Sequence, residues 1–213
     1  MIHYVLLGDS IFDNAAYTAG APDTVNRLRE QLSLGDRATL LARDGAAAAD
    51  LPEQIRELPS DTDHCFLSIG GNDVLQALPV LGERAGDVDD ALERLARARE
   101  PFLRDYISGL DALIALGLPV TVCTIYEGLL GFVGNPEVDE RVTTFLCGQA
   151  SPKALRTALS LYNDLITRAA LARGLPLVEL RAICSEPRDF ANPIEPSSQG
   201  SRKIAAALLT GAR

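Results

Sequence analysis

The chain has 213 residues, 47% hydrophobic and 23% charged, and no stretch approaches the roughly 18 consecutive apolar residues of a membrane-spanning helix. That length and balance predict one globular α/β domain over residues 1–213. A net charge of −9 without a basic stripe argues against nucleic acid or an anionic membrane surface as partner, and leaves a neutral or cationic small molecule easier to accommodate.

The first predicted element is a short apolar strand, Tyr4-Val5-Leu6-Leu7, which runs directly into Gly8-Asp9-Ser10. A glycine at a strand end lets the backbone turn sharply, so Ser10 is expected at the carboxyl edge of a sheet, where open α/β folds bind their ligands. A serine after a strand can equally cap the next helical turn. The opening residues contain neither a basic leader nor a signal-length apolar run, which points to a cytoplasmic protein. Cys65, Cys123, Cys147 and Cys184 have no spacing that suggests a metal site or a disulfide framework, and Cys65 and Cys123 read as small buried hydrophobes.

Further along, Ile11 to Gly20 reads as a mixed loop, and Asp23-Thr24 introduces a helix carrying Val25, Leu28 and Leu32 at helical spacing. Residues 37–41 form a second strand, followed by Asp44-Gly45 and a helical stretch from Ala46 to Leu58 with a possible kink near Pro52. His64 to Ile69 is a third apolar strand leading into Gly70-Gly71-Asn72-Asp73. Val88 to Leu116 is predicted helical with a break near Pro101, its face of Leu92, Leu95, Phe102, Tyr106, Leu110 and Leu113 packing on the sheet. A fourth strand spans 119–124, and Ile125 to Ala150 reads as a long loop in which Phe132 and Phe145 either wall an acyl pocket or plug it.

Ser151-Pro152 is a helix start, with Leu155, Leu159, Tyr162, Ile166 and Ala169 on its buried face. A fifth strand at Leu175 to Leu180 and a terminal helix at Ser197 to Leu209 complete the chain. Short apolar strands alternating with amphipathic helices predict a parallel sheet with right-handed crossovers, a three-layer α/β/α sandwich.

A serine nucleophile needs donors for a developing oxyanion, a base for its proton and a group to orient the base. Ser10 offers its backbone N–H, Gly45 leaves room for a carbonyl to approach its own N–H, and Asn72 offers a side-chain amide. These follow strands 1, 2 and 3, which converge at one edge in a parallel sheet. No phosphate-cradling glycine loop follows strand 1, which argues against a nucleotide binder.

This set of residues resembles the SGNH hydrolases, or GDSL esterases and lipases. Gly8-Asp9-Ser10 matches the first family block, Gly45 the second and Gly70-Gly71-Asn72-Asp73 the G-x-N-D third, with Ile194 to Gly200 in the place of the last. The resemblance implies a flavodoxin-like fold with strand order 2-1-3-4-5, hydrolysis of small ester or acyl substrates, no cofactor and no metal. It also implies Ser10 as nucleophile, with Ser10, Gly45 and Asn72 forming the oxyanion hole. The last block departs from the family, which carries D-x-x-H before the terminal helix; here Asn192-Pro193-Ile194-Glu195-Pro196-Ser197 puts Asn192 for the acid and Glu195 for the base.

His3 and His64 are the only histidines, and at about 3.3 Å per strand residue His3 should lie roughly 20 Å from Ser10, with His64 similarly remote from Asn72. Glu195 therefore either acts as an unusual base, its pKa raised by burial, or favours the positive end of the helix that follows it or pairs with an arginine such as Arg202. Asn192 either orients Glu195 or shapes the turn before Pro193. Asp9 and Asp73 are expected to brace loops; with Asp13 and Asp44 they specify no coordination sphere. Two readings follow: a serine hydrolase with an atypical base, or a non-catalytic protein binding an acylated or sugar-like ligand in the same cleft. A Glu195 carboxylate within roughly 2.6–3.2 Å of Ser10 Oγ favours the first.

Overall fold

In the sheet, strand β1 (His3–Gly8) is an interior strand, and all six of its residues are buried. The computed structural model describes the chain except residues 133, 135, 146–150 and 213 and the side chains of 139, 143 and 145, so Cys147 and the Phe145 side chain lie outside the described residues. β1 pairs in parallel with β2 (Arg37–Leu40) on one side and β3 (His64–Ser68) on the other, and β4 (Val120–Cys123) and β5 (Leu177–Val178) extend the sheet beyond β3. The strand order is therefore β2-β1-β3-β4-β5, the order the sequence resemblance implies.

The crossovers carry the helices. They are α1 (Thr24–Arg29), α2 (Leu51–Arg56), α3 (Gly71–Ala77), α4 (Val88–Ala98), α5 (Glu100–Ile114), α6 (Pro136–Phe145), α7 (Pro152–Ala172), α8 (Leu180–Ile183) and α9 (Ser198–Gly211). α1 packs against α9 and α2 against α5, which gives the three-layer sandwich. The helix starts read from sequence are capped. Asp23, Ser151 and Ser197 each accept a backbone N–H at the start of α1, α7 and α9. No helix among the described residues is long and apolar enough to cross a membrane.

Three features differ from the sequence reading, each for a packing reason. Pro52 sits in the first turn of α2, where its missing N–H has no partner to lose, so it starts the helix instead of kinking it. Val88 to Leu116 breaks beside Pro101 as expected, but the predicted buried face holds only on α5: Phe102, Tyr106, Leu110 and Leu113 are buried, whereas Leu92 on α4 is 59% exposed. The expected loop from Ile125 to Ala150 contains a 3-10 turn at Gly128–Phe132 and helix α6, because Leu129, Leu130, Val138 and Val142 pack into the core at spacings too irregular to read as one helix.

Gly8 ends β1 opposite Ser68 with φ +137, and a Cβ there would sit 1.7 Å from the Ser68 carbonyl oxygen. Beyond it the ladder is continued by a side chain. Gln54, fully buried, accepts from the Gly8 N–H at 2.7 Å and donates to the Gly8 carbonyl at 2.8 Å. Gly8→Ala should lower stability by at least ~2–3 kcal/mol, seen as a large drop in Tm or loss of soluble protein. Gly117→Ala, at φ +73 with open space around the position, should cost only ~1–2 kcal/mol.

Candidate active site

Because β1, β2 and β3 run in parallel, the loops after them emerge together. Three contacts join them. The Arg43 N–H donates to the Gly8 carbonyl at 3.0 Å, the Gly71 N–H to Asp9 Oδ2 at 3.3 Å, and Asn72 Nδ2 to the Ala46 carbonyl at 2.8 Å. Ser10, Asn72 and the residue after Gly45 thereby share one edge. Among the described residues neither the Ser10 nor the Gly45 backbone N–H meets a protein acceptor, and Asn72 keeps its second amide hydrogen. Gly45 has φ +82 and nothing within 4 Å of a Cβ position, which leaves its N–H open to approach.

Asp9 is the brace expected from sequence. Its carboxylate accepts from the Ile11 N–H at 3.1 Å as well as from Gly71, so one buried side chain holds both the Ser10 turn and the start of α3. Burial raises its pKa to about 7, against the lowering effect of those backbone donors. Asp73 plays the parallel part for the Gly45 loop, accepting from the Ala48 N–H at 3.0 Å. No cluster of potential metal ligands occurs among the described residues.

The last loop delivers Glu195. Ser10 Oγ donates to Glu195 Oε1 at 3.0 Å, with Ser10 9% and Glu195 5% exposed. No lysine or arginine pairs with Glu195 among the described residues, so the alternative pairing with Arg202 is not adopted. Asn192 does not touch the Glu195 carboxylate. Its Oδ1 accepts the Ile194 and Glu195 backbone N–H groups, both at 2.9 Å, which sets the turn that aims the glutamate. Tyr126 donates to the Ile194 carbonyl at 2.6 Å and the Leu129 N–H to that of Pro193 at 2.9 Å, tying the loop to the segment after β4.

Burial is the largest influence on Glu195 and, with the charges of Asp9 and Asp44, raises its pKa to about 8 despite the opposing Ser10 hydrogen bond. Its second oxygen, Oε2, is buried with no hydrogen-bond partner among the described residues. His3 and His64 lie at the opposite ends of their strands, as expected: His3 meets Thr39 at 2.8 Å and His64 meets Thr121 at 2.9 Å. Phe132 stacks edge-on with Phe190 away from the cleft, so it plugs the fold and does not wall the pocket.

A second layer was not evident from sequence. Asn14, Thr24 and Ser201, all fully buried, form one network: Asn14 Nδ2 donates to the Pro196 carbonyl at 3.0 Å and to Ser201 Oγ at 2.8 Å, and its Oδ1 accepts from the Thr24 N–H at 2.9 Å. Thr24 Oγ1 in turn donates to the Ile11 carbonyl at 3.0 Å. The network clamps the Ser10 turn to the Glu195 loop. Asn14 carried no signal in a loop without periodicity, and Thr24 read only as a helix start. Gln54 was equally silent, since nothing local marks a side chain that finishes a ladder.

A five-stranded parallel sheet in the order β2-β1-β3-β4-β5, with Ser10 in the turn after β1, is the fold of the SGNH hydrolase class. The chain belongs to the GDSL-like lipase/acylhydrolase family, whose profile matches residues 6–203. Solved structures with the same fold include the extracellular lipase of Streptomyces rimosus (20% identity, TM-score 0.67, covering 99% of this chain and 100% of that one). Phospholipase A1 of Streptomyces albidoflavus NA297 aligns at 18% identity and TM-score 0.66 over 98% of each chain. The acetylxylan esterase Axe2 of Geobacillus stearothermophilus aligns at 18% identity and TM-score 0.64 over 99% of this chain and 94% of that one. No curated protein matches the sequence.

Asn14→Ala would strand the Thr24 N–H and the Pro196 carbonyl, while Ser201 Oγ keeps Thr24 Oγ1 at 3.0 Å, at ~1–3 kcal/mol for each group left unpaired, and should lower kcat more than it raises KM. Steady-state kinetics beside a thermal melt checks both. Asp9 and Glu195 also link stability to pH. Their folded pKa values, about 7 and about 8, lie above those of an unfolded chain, so their contribution is full below the unfolded carboxylate pKa and is lost as pH rises through about 8. Tm should therefore fall between roughly pH 5 and 8, and Glu195→Gln should flatten that fall and be more stable at the alkaline end by a few kcal/mol. Thermal melts across that range test it.

Proposed function

We propose that this protein is a serine hydrolase of small carboxylic esters that works through an acyl-enzyme on Ser10, with Glu195 taking the place that histidine holds in the family. The observation that carries this reading is the 3.0 Å contact between Ser10 Oγ and Glu195 Oε1, within reach for direct proton transfer. An ordinary glutamate, with a pKa near 4.3, is a weak acceptor for a serine proton. Burial brings Glu195 to about 8, much nearer the value a general base needs close to neutrality.

In this scheme Ser10 Oγ attacks the ester carbon as its proton passes to Glu195 Oε1. The oxyanion is received by the Ser10 and Gly45 N–H groups and the Asn72 amide. Collapse expels the alcohol, which takes the proton back from Glu195, and water then repeats the sequence on the acyl-enzyme to release the acid and restore Ser10. Oxyanion support alone still accelerates such reactions, so an acceptor less effective than histidine lowers the rate without abolishing it. Asp9, Glu127 and Glu195 are the charged residues lining the cleft, and Arg156 pairs with Glu127 at 2.9 Å. The remaining lining is largely apolar, which suits an uncharged acyl group and disfavours an anionic one.

A fluorophosphonate should label Ser10, and Ser10→Ala should lose both label and esterase turnover. Since a protonated carboxyl cannot accept the serine proton, kcat/KM should rise as pH increases through about 8 and level off above it. Glu195→Gln should lower kcat by about 100-fold or more and remove that rise. A pH profile unchanged in Glu195→Gln would exclude the glutamate as base. A protein that never labels, yet is thermally stabilised by an acylated or sugar-like ligand, would instead be a binding member of the same fold.

A further inference from the structure

The apolar end of the cleft is closed by two helices. Val74 and Leu75 come from α3, and Leu155 and Leu159 from α7. Behind this wall lies a second, smaller hollow whose lining is also apolar, with Leu95, Ala158 and Tyr162 around it. Among the described residues Val74 is the one common to both linings, and it is itself 6% exposed. Its position is tied to the oxyanion donor, because it stands two residues after Asn72 on the same short helix.

The two ends of an ester bound at Ser10 are distinguishable. If Glu195 returns the proton to the departing alcohol, the alcohol must lie beside Glu195, and the acyl chain takes the other direction, between α3 and α7. This step rests on the serine-hydrolase reading above. We infer that Val74 is the specificity-determining residue that ends the acyl pocket, and that the hollow behind it is a distal acyl subsite which the valine side chain keeps shut.

The volumes agree with a short-chain pocket. The cleft measures about 70 Å3 and the hollow about 10 Å3. Where one water-sized group needs ~10–15 Å3, the cleft takes roughly five or six such groups and the hollow about one. Replacing Val74 by alanine removes two methyl groups from the partition and joins the spaces, which makes room for about two more methylenes. Ala158 faces the hollow but does not line the cleft, so enlarging it fills the distal space alone.

The test compares kcat/KM for p-nitrophenyl butyrate and octanoate. The wild type should favour butyrate. Val74→Ala should raise the octanoate-to-butyrate ratio about 15-fold, the value of two more buried methylenes at ~0.8 kcal/mol each. Val74→Ile, which thickens the partition, should lower the ratio, and adding Ala158→Leu to Val74→Ala should reverse the gain. A ratio is insensitive to partial unfolding, because both esters meet the same population of enzyme. Calorimetric binding of octanamide and butanamide should show the same order without requiring chemistry. An unmoved ratio in Val74→Ala, or a gain that survives Ala158→Leu, overturns the inference while labelling and turnover at Ser10 persist. Absence of labelling and turnover overturns the serine-hydrolase reading instead, and the amide affinities then decide the partition by themselves.

Discussion

A carboxylate buried against a serine hydroxyl is the constraint on which the rest of this structure depends. Glu195 has lost nearly all contact with solvent, keeps Ser10 as its hydrogen-bond partner, and holds Oε2 without one among the described residues. An arrangement that unfavourable in isolation persists only when its surroundings over-determine it. They do so through backbone atoms: Asn192 sets the turn, Tyr126 and Leu129 hold the loop from one side, and Asn14 holds the Pro196 carbonyl from the other. The same burial that destabilises the ionised glutamate raises its proton affinity, so under the proposed function activity and stability pull in opposite directions as pH rises.

The sheet supplies the second constraint. Parallel pairing of β2, β1 and β3 delivers three loops to one edge, but only a backbone without Cβ atoms lets them approach closely. Gly8 lies against the Ser68 carbonyl, and Gly128 against that of Pro193, where a Cβ would sit 2.2 Å from the oxygen. Asp9 and Asp73 then convert proximity into registry by accepting N–H groups from neighbouring loops. Precision at Ser10 therefore comes from carboxylates whose own charge is costly to bury, which also explains why Asp9 raises the pKa of Glu195.

Much of this was legible in the sequence because it depends on local rules. Strand runs such as Tyr4 to Leu7 are apolar throughout, since both faces of the sheet are covered. Caps such as Ser151 and Ser197 act within a single turn, and Gly8, Gly45 and Asn72 stand directly after strands. The errors fell where distant packing decides. Leu92 satisfies helical periodicity yet faces solvent, because α4 stands off the sheet, and the segment after β4 forms helix α6 through contacts with elements far away in sequence.

By itself, the sequence determined the α/β alternation, the strand-end positions of Ser10, Gly45 and Asn72, and the absence of a histidine where one would serve the serine. Whether Glu195 meets Ser10 or turns away was open, because residues 185 apart in the chain are brought together only when the whole sheet and its last loop are assembled. Tertiary structure alone decided that contact, the burial that raises the glutamate's pKa, and the Asn14–Thr24–Ser201 clamp. Each depends on exclusion of water and on backbone groups from several loops at once, and no short window of sequence encodes either.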